Sequence, residues 1–134
     1  EDVERKSYGT LFYCLSLFIL IILFWDNDPN SLIAGFFIMT FGDGFAGLIG
    51  KNFPSKNWLI LNQKKSILGT FTMFITSLFI LLAIGFYGDF SINSNYLLIA
   101  LIATILEQVS MYGIDNFTVP IISSISFNYF ISNL

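Results

Sequence analysis

The chain carries, at the end of its second apolar run, the stretch Thr40-Phe41-Gly42-Asp43-Gly44-Phe45-Ala46-Gly47-Leu48-Ile49-Gly50-Lys51. This stretch places a carboxylate between two glycines in an apolar segment and ends on a lysine. An ionisable group in a membrane segment costs about 2.5–3.5 kcal/mol on insertion scales, so it usually has a partner or a function. Glycines beside it let a ligand or another helix approach the backbone closely. The stretch therefore predicts a membrane helix with a functional site at one end.

The composition predicts an integral membrane protein. Hydrophobic residues make up 55% of the 134 residues, charged residues make up 11%, and the mean hydropathy is +0.76. A soluble domain would carry about 25% charged residues. The length predicts a single domain over residues 1–134. Six Lys and Arg in total argue against nucleic-acid binding, and the lack of His with only one cysteine excludes histidine bases and thiolate metal sites.

Apolar runs separated by turn residues predict an all-α, polytopic transmembrane helix bundle with four spans and a weaker C-terminal segment. The four predicted spans cover residues 11–25, 32–49, 66–87 and 96–112, and the weaker segment covers residues 119–134. Ser31 is the predicted N-cap of the second span. Residues 51–65 are predicted to be a polar connection that contains Pro54.

The basic residues predict the orientation. With four spans, all of them fall on one side of the membrane; they are Arg5, Lys6, Lys51, Lys56, Lys64 and Lys65. The opposite loops contain Asp26, Asp28 and Asp89 and no basic residue. By the positive-inside rule the basic side is cytoplasmic, or stromal in an organelle.

Acidic and amide groups are predicted on this same basic face. Asp43 lies near the end of the second span, and Glu107, Asp115 and Asn116 lie at or after the end of the fourth. Carboxylate and amide oxygens suit Mg²⁺, and lysines beside them suit phosphate oxygens. Phosphoryl transfer needs mainly positioning and charge neutralisation. The residues therefore predict transfer between a nucleotide and a lipid head group at the membrane surface.

Each of these signals also has a structural interpretation. Asp43 could cap a helix, the glycines at 42, 44, 47 and 50 could serve helix packing, and Lys64 and Lys65 could anchor the topology. Asp115 and Asn116 follow Gly113 as an ordinary turn would. The match of residues 42–47 to the dinucleotide fingerprint is rejected because no βαβ unit surrounds it.

Four blocks of the sequence resemble the family of phytol, farnesol and dolichol kinases, and CTP-dependent diacylglycerol kinases resemble the same pattern. In family order they are Arg5-Lys6-Ser7-Tyr8-Gly9-Thr10, Gly42-Asp43-Gly44-Phe45-Ala46, Lys65-Ser66-Ile67-Leu68-Gly69-Thr70 and Glu107-Gln108-x-x-x-x-Gly113-x-Asp115-Asn116-x-Thr118-x-Pro120. The closing block looks most like the phytol kinase branch. The resemblance implies a polytopic membrane enzyme that phosphorylates a long-chain isoprenoid alcohol with CTP and Mg²⁺.

The resemblance leads to a specific set of site residues. Asp43 and Asp115, assisted by Asn116, are expected to ligate the metal and phosphate group. Lys65 is expected to neutralise phosphate charge, and Glu107 is the candidate base, with Asp43 as the alternative. The residues expected to bind the nucleotide are Arg5, Lys6, Gly42, Gly44 and Ser66.

Two departures from the family pattern lead to further expectations. Family members usually have helices upstream of the first block, so this chain is expected to lack them. Asn52-Phe53-Pro54 stands where a second glycine-rich stretch would be expected. Two rival functions stay open: a cytidylyltransferase acting on phosphatidate, which would release pyrophosphate instead of CDP, and a small membrane transporter. The sequence predicts no oligomeric state.

Overall fold

A computed structural model describes residues 8–61 and 63–133 as a bundle of six α-helices with one β-hairpin. The elements are α1 (Gly9–Phe24), α2 (Pro29–Phe37), a π-helical segment (Ile38–Asp43), α3 (Gly44–Asn52), β1 (Asn57–Ile60), β2 (Gln63–Ser66), α4 (Ile67–Tyr87), α5 (Asn95–Gln108), α6 (Asp115–Phe127) and a second π-helical segment (Asn128–Ser132). The predicted all-α class is confirmed, since the hairpin is the one β element among these residues.

Four clear spans are not supported in the part of the chain that the structure describes. Two helices are long and apolar enough to cross a membrane, Pro29–Asn52 with 24 residues and Ile67–Tyr87 with 21. The apolar helices α1 and α5 contain 16 and 14 residues. A straight helix needs about 20 residues to cross the hydrocarbon core, so both fall short by length.

The second predicted span is longer than expected and has a different cap. It runs from Pro29 to Asn52 without interruption, through the π-helical segment. The prediction of Ser31 as N-cap is wrong, because Asp28 holds that position and accepts a hydrogen bond from the Ser31 backbone N–H at 3.3 Å. Proline at the first helical position leaves no N–H unsatisfied there, which explains the earlier start.

The predicted polar connection contains the β-hairpin. Its two strands pair antiparallel, with Trp58 opposite Lys65 and Asn57 opposite Ser66. Alternate residues are partly buried, including Trp58, Ile60, Gln63 and Lys65. Trp58 and Lys65 donate hydrogen bonds to Gln108 and Glu107 at the end of α5, and these contacts hold the hairpin against the helix bundle.

The weak C-terminal segment is the central helix of the fold. Helix α6 packs against α1, α2 and α5, and Val119, Pro120 and Phe127 are fully buried. The segment has low hydropathy because it contains three buried serines, Ser123, Ser124 and Ser126. Small residues of this kind allow neighbouring helix backbones to approach closely, so low hydropathy here accompanies burial.

Helices α3 and α4 meet backbone to backbone through glycines. A Cβ atom added to Gly69 would lie 3.1 Å from the Ala46 carbonyl oxygen and 2.9 Å from the Ser66 hydroxyl oxygen. A Cβ atom added to Gly50 would lie 2.8 Å from the same hydroxyl oxygen. A Cβ atom added to Gly47, on the same helix α3, would meet nothing within 4 Å. The contact therefore fixes α3 against the first turn of α4.

Asp28 joins the start of α2 to the end of the chain. Its carboxylate accepts hydrogen bonds from the Ser31 backbone and hydroxyl groups, and from the Asn128 side-chain amide at 2.8 Å. Burial opposes ionisation, but the hydrogen bonds from Ser31, Asn128 and Ser132 outweigh it and lower the pKa of Asp28. The ionised carboxylate therefore stabilises the fold.

We predict that Asp28→Ala lowers the free energy of unfolding by about 1–2 kcal/mol, because it removes a helix cap and leaves the Asn128 amide without its partner. Asp26→Ala is the matched control, since Asp26 lies in the same turn and is exposed. Thermal unfolding in detergent measures both. Because folding lowers the pKa of Asp28, its contribution to stability is fully present above about pH 4 and is lost as the pH falls through the lowered pKa. The free energies of unfolding of the Asp28→Ala and Asp26→Ala proteins should therefore become similar in acid. Equal stability of the two variants at neutral pH would contradict this role.

We predict opposite effects for alanine at two glycines near the same interface. Gly69→Ala should lower the free energy of unfolding by about 1–3 kcal/mol, since the added methyl group would displace the Ser66 hydroxyl that caps α4 and press on the Ala46 carbonyl oxygen. Gly47→Ala should raise it by up to about 1 kcal/mol, because alanine favours helix and the space is open. Chemical or thermal unfolding of the pair checks the prediction, and similar values for both variants would refute the close contact.

Candidate active site

A cavity of about 800 Å³ lies where α3, the hairpin, the start of α4 and the end of α5 meet. Its charged lining residues are Asp43, Lys51, Lys64, Lys65 and Glu107, and its lining also includes Ser66, Gly69, Thr70 and Gln108. The cavity therefore brings together residues that lie more than 60 positions apart in the sequence. Binding cavities for small molecules usually measure about 300–1,000 Å³, so this one is large enough for a nucleotide.

Asp43 is the unpaired carboxylate of the cavity. It ends the π-helical segment, a local geometry that is frequent at functional sites. Within the described part of the chain, its carboxylate has no hydrogen bond and no ion pair. Lys65 and Lys51 attract it electrostatically, while Asp115 and Glu107 repel it. A half-buried carboxylate without a partner is available to a ligand.

Lys65 and Glu107 form an ion pair at the inner wall of the cavity. The Lys65 ammonium contacts Glu107 Oε1 and also donates to the Glu107 backbone oxygen at 3.0 Å. The Lys65 and Glu107 side chains are only 13% and 8% exposed. An ammonium group has three donors, so one N–H of Lys65 is left for a ligand.

The second oxygen of Glu107 is also occupied. Glu107 Oε2 accepts from Gln108 Nε2 at 2.7 Å, and the same nitrogen donates to Thr70 Oγ1 at 2.8 Å. Gln108 Oε1 accepts from the Trp58 indole N–H at 3.2 Å. Glu107 is thus the anchor of a network that joins the hairpin, α4 and α5. Its predicted role as a base stays a prediction.

Two exposed lysines lie on the outer wall. Lys51 is in the last turn of α3 and Lys64 is in β2, and neither forms an ion pair within the described residues. Both are free to bind an anion. Arg5 and Lys6, which are predicted to bind phosphates, lie outside the described residues.

The three remaining predicted nucleotide contacts differ in their positions. Ser66 lines the cavity and caps α4, where its hydroxyl oxygen accepts from the Gly69 N–H at 3.0 Å. Gly42 faces α4, since a Cβ atom there would lie 2.7 Å from the Met73 sulfur. Gly44 is exposed, and neither glycine lines the cavity. The structure therefore brings Ser66 to the site and leaves the two glycines outside its wall.

Asp115 and Asn116 lie in the first turn of α6, beside the cavity rather than in its lining. The Asp115 backbone N–H donates to the Ser110 hydroxyl oxygen at 3.1 Å, and the Asn116 carbonyl accepts from the Ser16 hydroxyl at 3.0 Å. These hydrogen bonds fix the start of α6. Asp115 is nevertheless near enough for its charge to act on Asp43.

The donor set can be compared with what Mg²⁺ needs. Over residues 8–61 and 63–133, no group of three or more His, Cys, Asp or Glu side chains could hold a metal ion. Mg²⁺ is commonly held by one or two carboxylates together with substrate phosphates and water. Asp43 and Asp115 match that pattern. The residues fit a metal that arrives with nucleotide phosphates, and they do not fit a closed site made of protein ligands alone.

Sequence reasoning missed several members of the site. Gln108 and Thr70 belong to the quoted blocks, but their residue types gave no reason to assign them a role. Trp58 could have been predicted to pack against the helices, since a large apolar side chain in a polar connection is usually buried against a neighbouring surface. Ser55 also lines the cavity, and its buried hydroxyl has no hydrogen-bond partner among the described residues.

The chain is similar to phytol kinases over most of its length. It is 35% identical over 130 residues to a phytol kinase of Synechocystis sp., an alignment that covers 93% of this chain and 55% of that protein. It is 32% identical over 130 residues to a probable chloroplastic phytol kinase of Triticum aestivum, with 88% and 42% covered. It is 30% identical over 129 residues to the chloroplastic phytol kinase 1 of Arabidopsis thaliana, again with 88% and 42% covered.

The chain spans about half the length of the curated relatives it matches. No family model and no solved structure matches it. The resemblance to phytol kinases that the four sequence blocks indicate is confirmed.

Proposed function

We propose that this chain, which belongs to the phytol kinase family, is an integral membrane enzyme. In this proposal it phosphorylates a long-chain isoprenoid alcohol. CTP is the proposed donor, as the family resemblance implies. The observation that carries the proposal is the unpaired carboxylate of Asp43 in a cavity that is also lined by three lysines. An acceptor for one proton and cations for phosphate oxygens are what phosphoryl transfer requires of a protein.

The proposed reaction forms one bond and breaks one. The alcohol oxygen attacks the γ-phosphorus, and the bond from that phosphorus to the β,γ-bridging oxygen breaks. The proton of the hydroxyl group passes to Asp43, and the electron pair of the broken bond stays on CDP. The products are an isoprenyl monophosphate and CDP. Magnesium bound with the phosphates would be held by Asp115 and one oxygen of Asp43, and it would neutralise the charge that develops on the phosphate oxygens. The second oxygen of Asp43 is the one that accepts the proton.

The lysines have different tasks in this proposal. Lys51 and Lys64 are exposed at the cavity wall and bind the outer phosphates as point charges. Lys65 is held by Glu107 and directs its remaining N–H to the transferred phosphoryl group. The unpartnered Ser55 hydroxyl supplies a further donor at the same wall. Because Glu107 has both oxygens engaged, it positions Lys65 and Gln108, and Asp43 takes the role of base.

The position of the cavity suits a lipid acceptor. It lies at the C-terminal end of Pro29–Asn52 and at the N-terminal end of Ile67–Tyr87, the two helices long enough to cross a membrane. The lysines at this end favour the cytoplasmic or stromal face by the positive-inside rule. The hydroxyl group of a lipid alcohol lies near the membrane surface, where a nucleotide can reach it from water.

We predict that the reconstituted full-length protein transfers the γ-phosphoryl group of labelled CTP to phytol in the presence of Mg²⁺. Farnesol, dolichol, diacylglycerol and phosphatidate serve as competing acceptors, and ATP serves as a competing donor. Chromatography of lipid and nucleotide products measures the outcome. Release of CDP with a labelled isoprenyl phosphate supports the proposal. Release of pyrophosphate with a cytidylylated lipid would overturn it in favour of a cytidylyltransferase, and a folded protein that labels no acceptor would overturn it as well.

We predict that Asp43→Asn lowers kcat by about 10²–10⁴-fold, the usual contribution of a positioned base, and leaves the unfolding temperature unchanged. Asp89→Asn is the control, because Asp89 is an exposed acid beyond the far end of α4. Glu107→Gln should lower activity and stability together, since it breaks the ion pair with Lys65. An Asp43→Asn variant with full activity would exclude this role. A stable Glu107→Gln variant without activity would assign the base to Glu107 instead.

A further inference from the structure

A second, smaller cavity opens beside the first and is almost wholly apolar. It is a groove of about 330 Å³ between α4 and α5, covered at one end by the hairpin. Seven residues line it: Trp58, Ile67, Thr70, Phe71, Phe74, Leu101 and Thr104. The hydroxyl group of Thr104 donates to the Ala100 carbonyl at 2.8 Å, so this polar group is satisfied within its own helix. The groove therefore offers an apolar surface with few free hydrogen-bonding groups.

The groove and the polar cavity share one residue and one hydrogen-bond network. Thr70 lines both. Its hydroxyl oxygen accepts from Gln108, which lines the polar cavity, and Gln108 in turn accepts from Trp58, which lines the groove. The shared residue shows that the groove adjoins the cavity that contains Asp43 and Lys65. The hydrogen-bonded side chains of Trp58, Gln108 and Thr70 thus form the boundary between the apolar groove and the charged cavity.

We propose that this groove binds the first isoprene units of the alcohol and presents its hydroxyl group at Thr70 and Gln108. The inference rests on the proposed function, because it names where the acceptor of that reaction binds. Trp58 is the positioning residue, since it covers the groove and is held by Gln108. The occupant is an isoprenoid chain with a hydroxyl head, because the groove is apolar and ends at hydrogen-bonding groups that also line the cavity of the proposed base.

The dimensions predict which part of the alcohol is recognised. A volume of about 330 Å³ is at the lower limit of ligand cavities, so it holds only the part of a long chain nearest the hydroxyl group. Phe71 and Leu101 are 61% and 48% exposed, so the groove is open along its side. The rest of the chain would pass between them into the lipid. Selectivity should therefore depend on the units beside the hydroxyl group and only weakly on total chain length.

The two tryptophans allow binding to be measured apart from catalysis. Trp25→Phe leaves Trp58 as the sole tryptophan, and Trp58→Phe leaves Trp25, which lies just after α1. Each protein, in phosphatidylcholine vesicles, is titrated with an isoprenoid alcohol brominated in its second isoprene unit, and fluorescence quenching is recorded. We expect saturable quenching of Trp58 that unlabelled phytol reverses. Trp25 should show only the linear quenching that follows from partition of the alcohol into the bilayer.

A pair of substitutions on α5 tests the groove itself. Leu101→Phe, made in the Trp25→Phe protein, narrows the groove and should weaken the apparent affinity about tenfold. Leu97→Phe is the matched control, because Leu97 lies one helical turn away, is also 48% exposed and is not part of the groove lining. It should leave the affinity unchanged. Equal effects of the two substitutions would overturn the assignment.

Other outcomes separate this inference from the proposed function. Linear quenching of both tryptophans, or competition by a saturated phospholipid as effective as that by phytol, would overturn the groove as an alcohol site. Saturable, phytol-specific quenching of Trp58 in a protein without kinase activity would keep the groove and refute the kinase. If Leu101→Phe fails to fold, the quenching of Trp58 in the parent protein still decides the question.

Discussion

The ion pair between Lys65 and Glu107 is the interaction on which the site depends. It joins the last residue before the Ser66 cap of α4 to the end of α5, in a place where both side chains are almost fully withdrawn from solvent. Removing either partner would leave a buried charge without compensation, which is far more costly than the pair itself is stabilising. The pair also fixes β2 of the hairpin, since Lys65 belongs to it. Because Glu107 satisfies Lys65, Asp43 remains the carboxylate without a partner, and the asymmetry between the two acids follows from this one contact.

The glycines around Asp43 divide between packing and open space. Gly42 and Gly50 press against α4, where any side chain would collide, whereas Gly44 and Gly47 face no atom within 4 Å. Gly42 and Gly50 hold the helix Pro29–Asn52 against α4 and so fix the position of Asp43 relative to α4. Gly47 lines the cavity, and its missing side chain widens the space between Asp43 and Lys51. The packing and functional interpretations of the glycine-rich stretch are therefore compatible, since Gly50 both packs against α4 and lines the cavity, whereas Gly47 only lines it.

The sequence predicts that charged residues distant along the chain gather at one end of the helices, but it predicts the surrounding fold less well. Asp43, Lys65, Ser66 and Glu107 line one cavity, as expected from charged groups placed at the ends of apolar runs. The hairpin could not be predicted, because two four-residue strands give too little alternation to be distinguished from a polar loop. The sequence gives helix α6 a weak signal because its serines lower the hydropathy, although these serines are buried inside the bundle. Asp28 looks like a turn residue in sequence, and only the distant Asn128 shows that it is a tertiary anchor.

The N-terminal part of α4, together with its cap, lines both the polar cavity and the apolar groove. Ser66, Gly69 and Thr70 line the polar cavity, while Thr70, Phe71 and Phe74 line the apolar groove. The change occurs at Thr70, whose hydroxyl group is already engaged with Ser66 and Gln108. A nucleotide is soluble in water and an isoprenoid alcohol in lipid, so the two can meet only where a surface changes from one character to the other within a few ångströms. The position of Thr70 between the charged cavity and the apolar groove meets that requirement for the proposed pair of substrates, and the hydrogen bond from Gln108 holds the Thr70 side chain at this boundary.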